Sequence, residues 1–228
     1  MKKTILFFYS IIASNILLAQ YNDGNPKPVQ FQAGINVASF VKQFINFSGT
    51  NNNLITTPYA CNGKVLYRLR KNDALIGLRL GMGYTNTETE SITPSFESSS
   101  VNETFDGRIG LEYQKELNKR WVTYVGFDYI SQSASNINKS NFLQTQNPVK
   151  STTNVNTVMD GGGFVLGIQF NINKYITLST EASYYYSDSF SKTVNTSSNQ
   201  NNQQDPLYNK SKNTRLVLPN LINFNIIF

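Results

Sequence analysis

The stretch ALIGLRLGMGY, residues 74–84, alternates between two kinds of side chain. From Ile76 to Tyr84 the even-numbered residues are large and apolar, whereas the odd-numbered residues between them are three glycines and Arg79. A period of two places successive side chains on opposite faces of a β-strand. One face of this predicted strand is therefore apolar along its length, and the other carries glycine and a positive charge.

The same alternation recurs in seven other segments, and no segment shows a convincing helical period. The eight predicted strands are VQFQAGINVASFV (29–41), KVLYRLR (64–70), ALIGLRLGMGY (74–84), TFDGRIGLEYQ (104–114), WVTYVGFDYI (121–130), GFVLGIQF (163–170), YITLSTEASYYY (175–186) and NLINFNIIF (220–228). Aromatic residues make up 13% of the chain, with 13 Tyr and 15 Phe against one Trp. This composition favours many amphipathic strands over a thick apolar interior.

The connections between these strands alternate between short and long. The short ones are KND (71–73), LNKR (117–120) and NINK (171–174), and the long ones are residues 47–58, 85–102, 133–156 and 189–213. In an antiparallel meander alternate connections lie at opposite ends, so all four long loops share one end. Short periplasmic turns and long outward loops are typical of bacterial outer-membrane barrels. The sequence therefore predicts an all-β fold, an eight-stranded antiparallel up-and-down transmembrane β-barrel with four long extracellular loops and short periplasmic turns.

The polar faces of the predicted strands carry charges of both signs among many glycines. The predicted lumen charge network consists of Arg68, Arg79, Arg108, Glu112, Asp128 and Glu181. An eight-stranded barrel is just wide enough to be filled by side chains, so these charges are expected to pair inside it. If these charged side chains faced hydrocarbon instead, each would cost roughly 2–4 kcal/mol of stability at the midplane of the bilayer. The apolar faces are therefore expected to meet lipid.

Aromatic residues on the apolar faces gather near the predicted strand ends. Trp121, Phe170 and Phe228 fall at the rim of the short turns, and Tyr84, Tyr129, Tyr184 and Tyr186 fall towards the long loops. A bilayer favours two such girdles because amphipathic rings are stabilised at headgroup level. The alternative is a soluble periplasmic barrel or sandwich, which would cover its apolar face with a second sheet.

The N-terminal segment MKKTILFFYSIIASNILLAQ, residues 1–20, is predicted to be a signal peptide. Lys2 and Lys3 precede a short apolar stretch that ends at a plausible cleavage point after Ala19 and Gln20. A transmembrane anchor is the alternative, but the stretch is short and contains polar residues. Residues 21–228 are then expected to form one outer-membrane barrel domain with both termini in the periplasm.

Composition excludes several classes of function. The formal net charge is +6, and the Lys and Arg residues are spread along the chain without forming a run. No nucleic-acid partner is therefore expected. The chain has no His, which excludes a Ser-His-carboxylate site and a His-containing metal site. No cofactor and no metal are expected. Catalysis by carboxylates alone stays an alternative, with Asp106, Glu112, Asp128 and Glu181 as its candidates. We interpret these groups instead as counter-charges of the interior arginines.

A signal segment ending in LLAQ, eight amphipathic strands and the last strand NLINFNIIF resemble the small outer-membrane β-barrel proteins of Gram-negative bacteria. The Asn-, Ser- and Thr-rich loops resemble those of the Bacteroidetes group. The resemblance implies that the barrel-assembly machinery reads the last strand, with Phe224, Ile226 and Phe228 as the assembly signal. Enzymes with a similar fold depend on a histidine, which this chain lacks.

The predicted function is therefore non-catalytic: a structural or surface-binding role carried by the long extracellular loops. The expected partners are outer-membrane lipid, the barrel-assembly machinery during biogenesis, and a protein or surface ligand at the loops. Two alternatives are an accessory subunit of a larger outer-membrane complex and a narrow, porin-like pore.

Overall fold

The structure is a computed structural model that describes residues 28–37, 58–69, 74–142, 149–198, 205–217, 219 and 222–228. Its strands are β1 (Val29–Asn36), β2 (Cys61–Leu69), β3 (Ala74–Thr93), β4 (Phe96–Glu116), β5 (Trp121–Phe142), β6 (Val149–Asn171), β7 (Ile176–Ser197), β8 (Leu207–Val217) and β9 (Asn223–Ile227). Within these ranges there is no helix long and apolar enough to cross a membrane. The signal peptide predicted for residues 1–20 lies outside the described residues.

The strands form a closed antiparallel ring. Consecutive strands pair from β1 to β7, and β9 pairs with both β7 and β1. Because β8 also pairs with β7, β8 and β9 are two parts of one eighth strand. Val217 lies opposite Ser183 and Asn223 opposite Ser179, so the eighth strand has two extra residues at this point. Pro219 lies within this bulge, where its missing N–H breaks no regular ladder.

The register gives the ring the stagger that barrel closure requires. Ile176 pairs through Ile226 with Ala33. Following hydrogen-bonded partners from Ala33 through β2 to β6 leads back to β7 at Tyr186, ten residues beyond Ile176. Strands staggered in this way tilt, and eight of them enclose a narrow interior. The predicted eight-stranded antiparallel barrel is confirmed.

The two described turns at the end of the barrel with the short connections, at 117–120 and 172–175, are built alike. Asn118 Oδ1 accepts hydrogen bonds from the backbone N–H groups of Arg120 and Trp121, each at 2.9 Å. In the same way, Asn173 Oδ1 accepts from Tyr175 and Ile176 at 2.8 Å. A short Asn side chain that replaces backbone partners in this manner stabilises a tight turn. The third short turn, at 71–73, lies outside the described residues.

The strands differ most from the sequence prediction at the end of the long connections. β3 was predicted to end at residue 84 but continues to Thr93, paired with β4 across a tight turn at 94–95. β4 to β7 extend similarly, and most of β8 falls in the predicted 189–213 loop. Alternating hydrophobicity disappears here because both faces are polar, although Ser- and Thr-rich segments still pair as strands. In contrast, the strand predicted for 29–41 ends at Asn36, and residues 38–41 lie outside the described residues.

The two faces of the barrel are inverted relative to a water-soluble fold. Leu78 and Leu80 point outward and are each 48% exposed, whereas Arg79 between them is 1% exposed. Soluble proteins bury their aliphatic residues and rarely bury a charge. The interior of this barrel is therefore mainly polar, with fewer buried apolar residues such as Leu66, Ile130 and Val165, and its outside is apolar.

Candidate functional site

Six charged side chains from five strands meet in the barrel interior. This ionic cluster consists of Lys64 on β2, Arg79 on β3, Arg108 and Glu112 on β4, Asp128 on β5 and Glu181 on β7. Alternation on each strand points these residues inward, and the register brings them to one level. Three cations face three carboxylates, so the cluster has no net formal charge.

Arg79 is the centre of the ionic cluster. Its Nη1 lies 2.9 Å from Glu112 Oε2, and its Nη2 lies 2.7 Å from Glu181 Oε2. Its Nε lies 3.2 Å from Asp128 Oδ1 without the alignment of a hydrogen bond. One guanidinium therefore joins carboxylates from three strands.

The two other cations complete the pairing. Arg108 Nη1 lies 2.5 Å from Glu181 Oε1 and 3.6 Å from Asp128 Oδ2. Lys64 Nζ lies 2.7 Å from Glu112 Oε1. Each carboxylate thus contacts two cations, which is the arrangement that offsets the high cost of removing charges from water.

Neutral side chains add further hydrogen bonds to the ionic cluster, although Arg79 Nε, Arg108 Nε and Asp128 Oδ1 have no hydrogen-bond partner among the described residues. The Tyr185 hydroxyl donates to Asp128 Oδ2 at 2.9 Å, and Gln114 Nε2 donates to Glu112 Oε1 at 2.6 Å. Arg108 Nη2 donates to Asn62 Oδ1 at 2.6 Å. Two aromatic rings also contact cations: Lys64 Nζ lies 4.1 Å from the Tyr124 ring centre, and Arg108 lies 4.5 Å from that of Tyr59.

Inward-facing glycines make room for these large side chains. Gly81 pairs with Arg108 across β3 and β4, and a Cβ on Gly81 would lie 2.8 Å from the Cγ of Arg108. Gly167 pairs with Tyr124, and a Cβ there would overlap the tyrosine ring. Large residues and glycines therefore alternate between neighbouring strands, which fills a narrow tube without collision.

Five of the six residues predicted for the lumen network lie in the ionic cluster: Arg79, Arg108, Glu112, Asp128 and Glu181. Arg68 does not. It lies four residues nearer the turn end of β2 than Lys64 and pairs separately with Glu116 at 2.7 Å. The side chains of this second pair are 30% and 31% exposed. Asp106 also lies outside the ionic cluster and accepts from Gln132 Nε2 at 2.7 Å.

The sequence prediction of the network omitted Lys64 and the buried tyrosines Tyr124 and Tyr185. The alternation of β2 places Lys64 on the same face as Arg68, so that pattern could have identified it. Tyr124 and Tyr185 are each 1% exposed. They were missed because aromatic residues were expected mainly at the lipid-facing rims.

The residues predicted as an assembly signal lie where the ring closes. Phe224 and Ile226 belong to β9, whose alternate residues Asn223 and Asn225 point inward and are buried. The backbone N–H of Phe228 donates to the carbonyl of Phe31 at 2.9 Å. These residues therefore occupy the outward face of the segment that joins β7 to β1. Their recognition by assembly machinery stays a prediction.

The chemistry of the interior is that of paired charges. The chain has no His, and the described residues include no group of three or more Cys, Asp or Glu placed to hold a metal ion. Every carboxylate of the ionic cluster is held by cations, so none is presented as a base to a substrate. The arrangement fills the interior and ties five strands together.

Comparison with known proteins gives little sequence similarity. No family model matches the chain, and no curated protein matches it. Among solved structures, the crystal structure of Acinetobacter baumannii CarO is similar, with 11% sequence identity and a TM-score of 0.41. The alignment covers 88% of this chain and 96% of CarO. The barrel is assigned from the strand register of this chain itself.

Proposed function

We propose that this protein is a non-catalytic β-barrel of a bacterial outer membrane, with a structural or surface-binding role carried by its extracellular connections. The observation that supports this proposal is the inverted burial of the barrel. Leu111, Phe164 and Leu166 are 61–68% exposed on the outside, whereas Asp128 is 0% exposed inside. Monomeric soluble proteins rarely expose a continuous apolar surface of this kind, and lipid is the solvent that it suits.

The height of the apolar outer surface supports a membrane position. At the turn end, Trp121 on β5 contacts Phe170 with ring centres 4.8 Å apart, and Tyr67 near the turn end of β2 is 49% exposed. Towards the other end, Tyr84 and Tyr129 are about half exposed. The nine residues from Trp121 to Tyr129 match the roughly 9–11 residues with which a tilted strand crosses a bilayer. Aromatic rings at both limits suit the two headgroup regions.

The ionic cluster argues against the alternative of an open pore. A solute passing the level of Arg79 would have to separate buried ion pairs contributed by five strands. Breaking a buried pair costs several kcal/mol, so the wild-type protein should be nearly silent in planar-bilayer conductance measurements. A steady open current would instead favour the pore.

We also propose that Phe224, Ile226 and Phe228 form the signal read by the barrel-assembly machinery. Support comes from their place on the outward face of the segment that closes the ring. A variant carrying Phe224→Ala and Phe228→Ala should assemble more slowly in the presence of that machinery. Its spontaneous folding into detergent should change much less.

Trp121 offers a direct test of the membrane proposal because it is the only Trp in the chain. It lies on the outside at the turn end and is 41% exposed. In vesicles, lipids brominated close to the headgroup should quench its fluorescence more strongly than lipids brominated at the chain ends. The folded barrel should also migrate differently on gels before and after boiling. A protein that stays monomeric in water without detergent, with unquenched fluorescence, would refute the proposal.

A further inference from the structure

Beyond the tyrosine rim, strands β3 to β8 continue as a sheet whose outer face carries charge of opposite sign on its two sides. Register identifies the outer face, because Tyr184 and Leu216 are paired and are 51% and 57% exposed. Alternate residues above them share that face. The acidic side, on β3 and β4, carries Glu88, Glu90, Glu97 and Glu103, and the basic side, on β7 and β8, carries Lys192, Lys210 and Lys212.

The basic side has a compact arrangement of three cross-strand pairs. Ascending from the rim, the pairs are Asp188 with Lys212, Phe190 with Lys210, and Lys192 with Tyr208. Diagonal neighbours in an antiparallel sheet lie about 7–8 Å apart, so the three ammonium groups flank one small area. With Asp188 included, this area carries two net positive charges. We call these six residues the β7–β8 wall.

The lysines of the β7–β8 wall are not neutralised by ion pairs. Within the described part of the chain, no carboxylate oxygen lies within 4.0 Å of any of their Nζ atoms, even though Asp188 faces Lys212 across the strands. The three cations of the ionic cluster, in contrast, all have such partners. Lys210 and Lys212 are exposed, so their unpaired ammonium groups are free to bind an anion.

Between the lysines lies an exposed aromatic pair. The rings of Phe190 and Tyr208 stack with centres 5.6 Å apart and an interplanar angle of 22°. They are 42% and 55% exposed, and Val158 beside Phe190 on β6 is 48% exposed. The wall therefore holds an exposed aromatic patch among lysines, separated from the apolar surface of the barrel by Asp188 and Lys212.

We propose that the β7–β8 wall binds the phosphate-bearing headgroup of a lipid in the outer leaflet of the membrane. This inference rests on the membrane position proposed above. Phe190 lies four residues beyond Tyr186, which at a strand tilt of about 45° is roughly 10 Å above the rim. Lysine ammonium groups sit on long flexible stems, so those of Lys210 and Lys212 can reach the headgroup region from this height. The acidic side would repel the same headgroup.

The test compares two double variants that each remove two lysines from the outer face. Lys210→Ala with Lys212→Ala changes the β7–β8 wall, and Lys139→Ala with Lys150→Ala changes exposed positions on β5 and β6. Each protein is reconstituted in nanodiscs of neutral lipid containing a small fraction of a phosphate-bearing anionic lipid, and the retained anionic lipid is counted by native mass spectrometry. At about 1 kcal/mol per lysine, the wall variant should bind that lipid about 30-fold more weakly. The control variant should bind within about threefold of wild type, and Lys210→Arg with Lys212→Arg should retain binding.

Three results would overturn the inference: equal retention by the wall variant and wild type, equal loss in the control variant, or displacement of the lipid by inorganic phosphate at similar concentrations. The last result would indicate a site for free anions. Failure of the wild-type protein to enter neutral nanodiscs would refute the membrane proposal itself. Normal insertion without any preference for anionic lipid would refute only the headgroup site.

Discussion

Replacing Arg79 by Met should produce the largest loss of stability among single changes in the interior. The substitution keeps much of the side-chain volume but removes a buried cation that contacts three carboxylates. The ionic cluster then carries one net negative charge in a site where Arg79 is 1% exposed. Removing one partner of a buried pair typically costs 3–5 kcal/mol. Each carboxylate keeps one other cation, so we expect a loss near the lower limit, about 3 kcal/mol.

A second substitution should restore part of that stability. Asp128→Asn combined with Arg79→Met removes one charge of each sign and leaves two intact pairs, Lys64 with Glu112 and Arg108 with Glu181. The new amide can still accept the hydrogen bond from Tyr185. We therefore expect the double variant to be less destabilised than the sum of the two single variants, by about 1–3 kcal/mol.

The measurement is denaturant unfolding in lipid vesicles, followed by the fluorescence of Trp121 under conditions where unfolding and refolding curves coincide. Trp121 lies on the outer surface and contacts Phe170, so its signal reports the barrel and not the ionic cluster directly. A loss below 1 kcal/mol for Arg79→Met would refute the reasoning. Strict additivity of Arg79→Met and Asp128→Asn would show that the two side chains are not coupled.

Three further predictions concern single positions in the same unfolding assay. Gly167→Ala should lower the free energy of unfolding by about 1–3 kcal/mol because the new Cβ meets the Tyr124 ring. Gly107→Ala, whose Cβ would have no atom nearer than 3.8 Å, should change it by less than about 0.5 kcal/mol. Equal losses would contradict the role given to interior glycines. Arg68→Met should cost less than about 1 kcal/mol because its ion pair with Glu116 is partly exposed, and a loss matching that of Arg79→Met would be inconsistent with that exposure. Asn118→Ala should cost about 1 kcal/mol by removing two turn hydrogen bonds, and no measurable loss would argue against this account of the turn.

The barrel could be predicted because an apolar outer surface and a narrow, charged interior impose opposite demands on alternate residues. In β3, the sequence from Ile76 to Tyr84 shows this alternation without exception, and the outward residues are exposed as expected. Above the rim the demand ends, since both faces meet water. Polar residues such as Thr87 and Glu88 are acceptable on either face there. They pair with β4, but the sequence shows no alternation of apolar and polar residues that would reveal the strand. The extended hairpins were therefore predicted as loops.

The ionic cluster could be predicted only in outline. Alternation identifies which charges point inward, but the height of each charge depends on strand register, which is not visible in the local pattern. Arg68 and Lys64 share a face of β2, yet only Lys64 lies at the level of Arg79. The buried tyrosines were missed for a related reason, because composition does not distinguish an aromatic ring inside the barrel from one at its rim.

This dependence on register suggests what the ionic cluster contributes to the fold. A slip of one residue between strands exchanges the outer and interior faces and, in the proposed membrane, is excluded by the large cost of placing Arg79 in hydrocarbon. A slip of two residues keeps both faces, and the aliphatic outer residues would meet lipid equally well after it. The interior would not tolerate the slip, because Gly81 would no longer lie opposite Arg108, and Arg79 would move about 7 Å from its partners. The paired charges and glycines therefore specify the register that the apolar outer surface leaves undetermined.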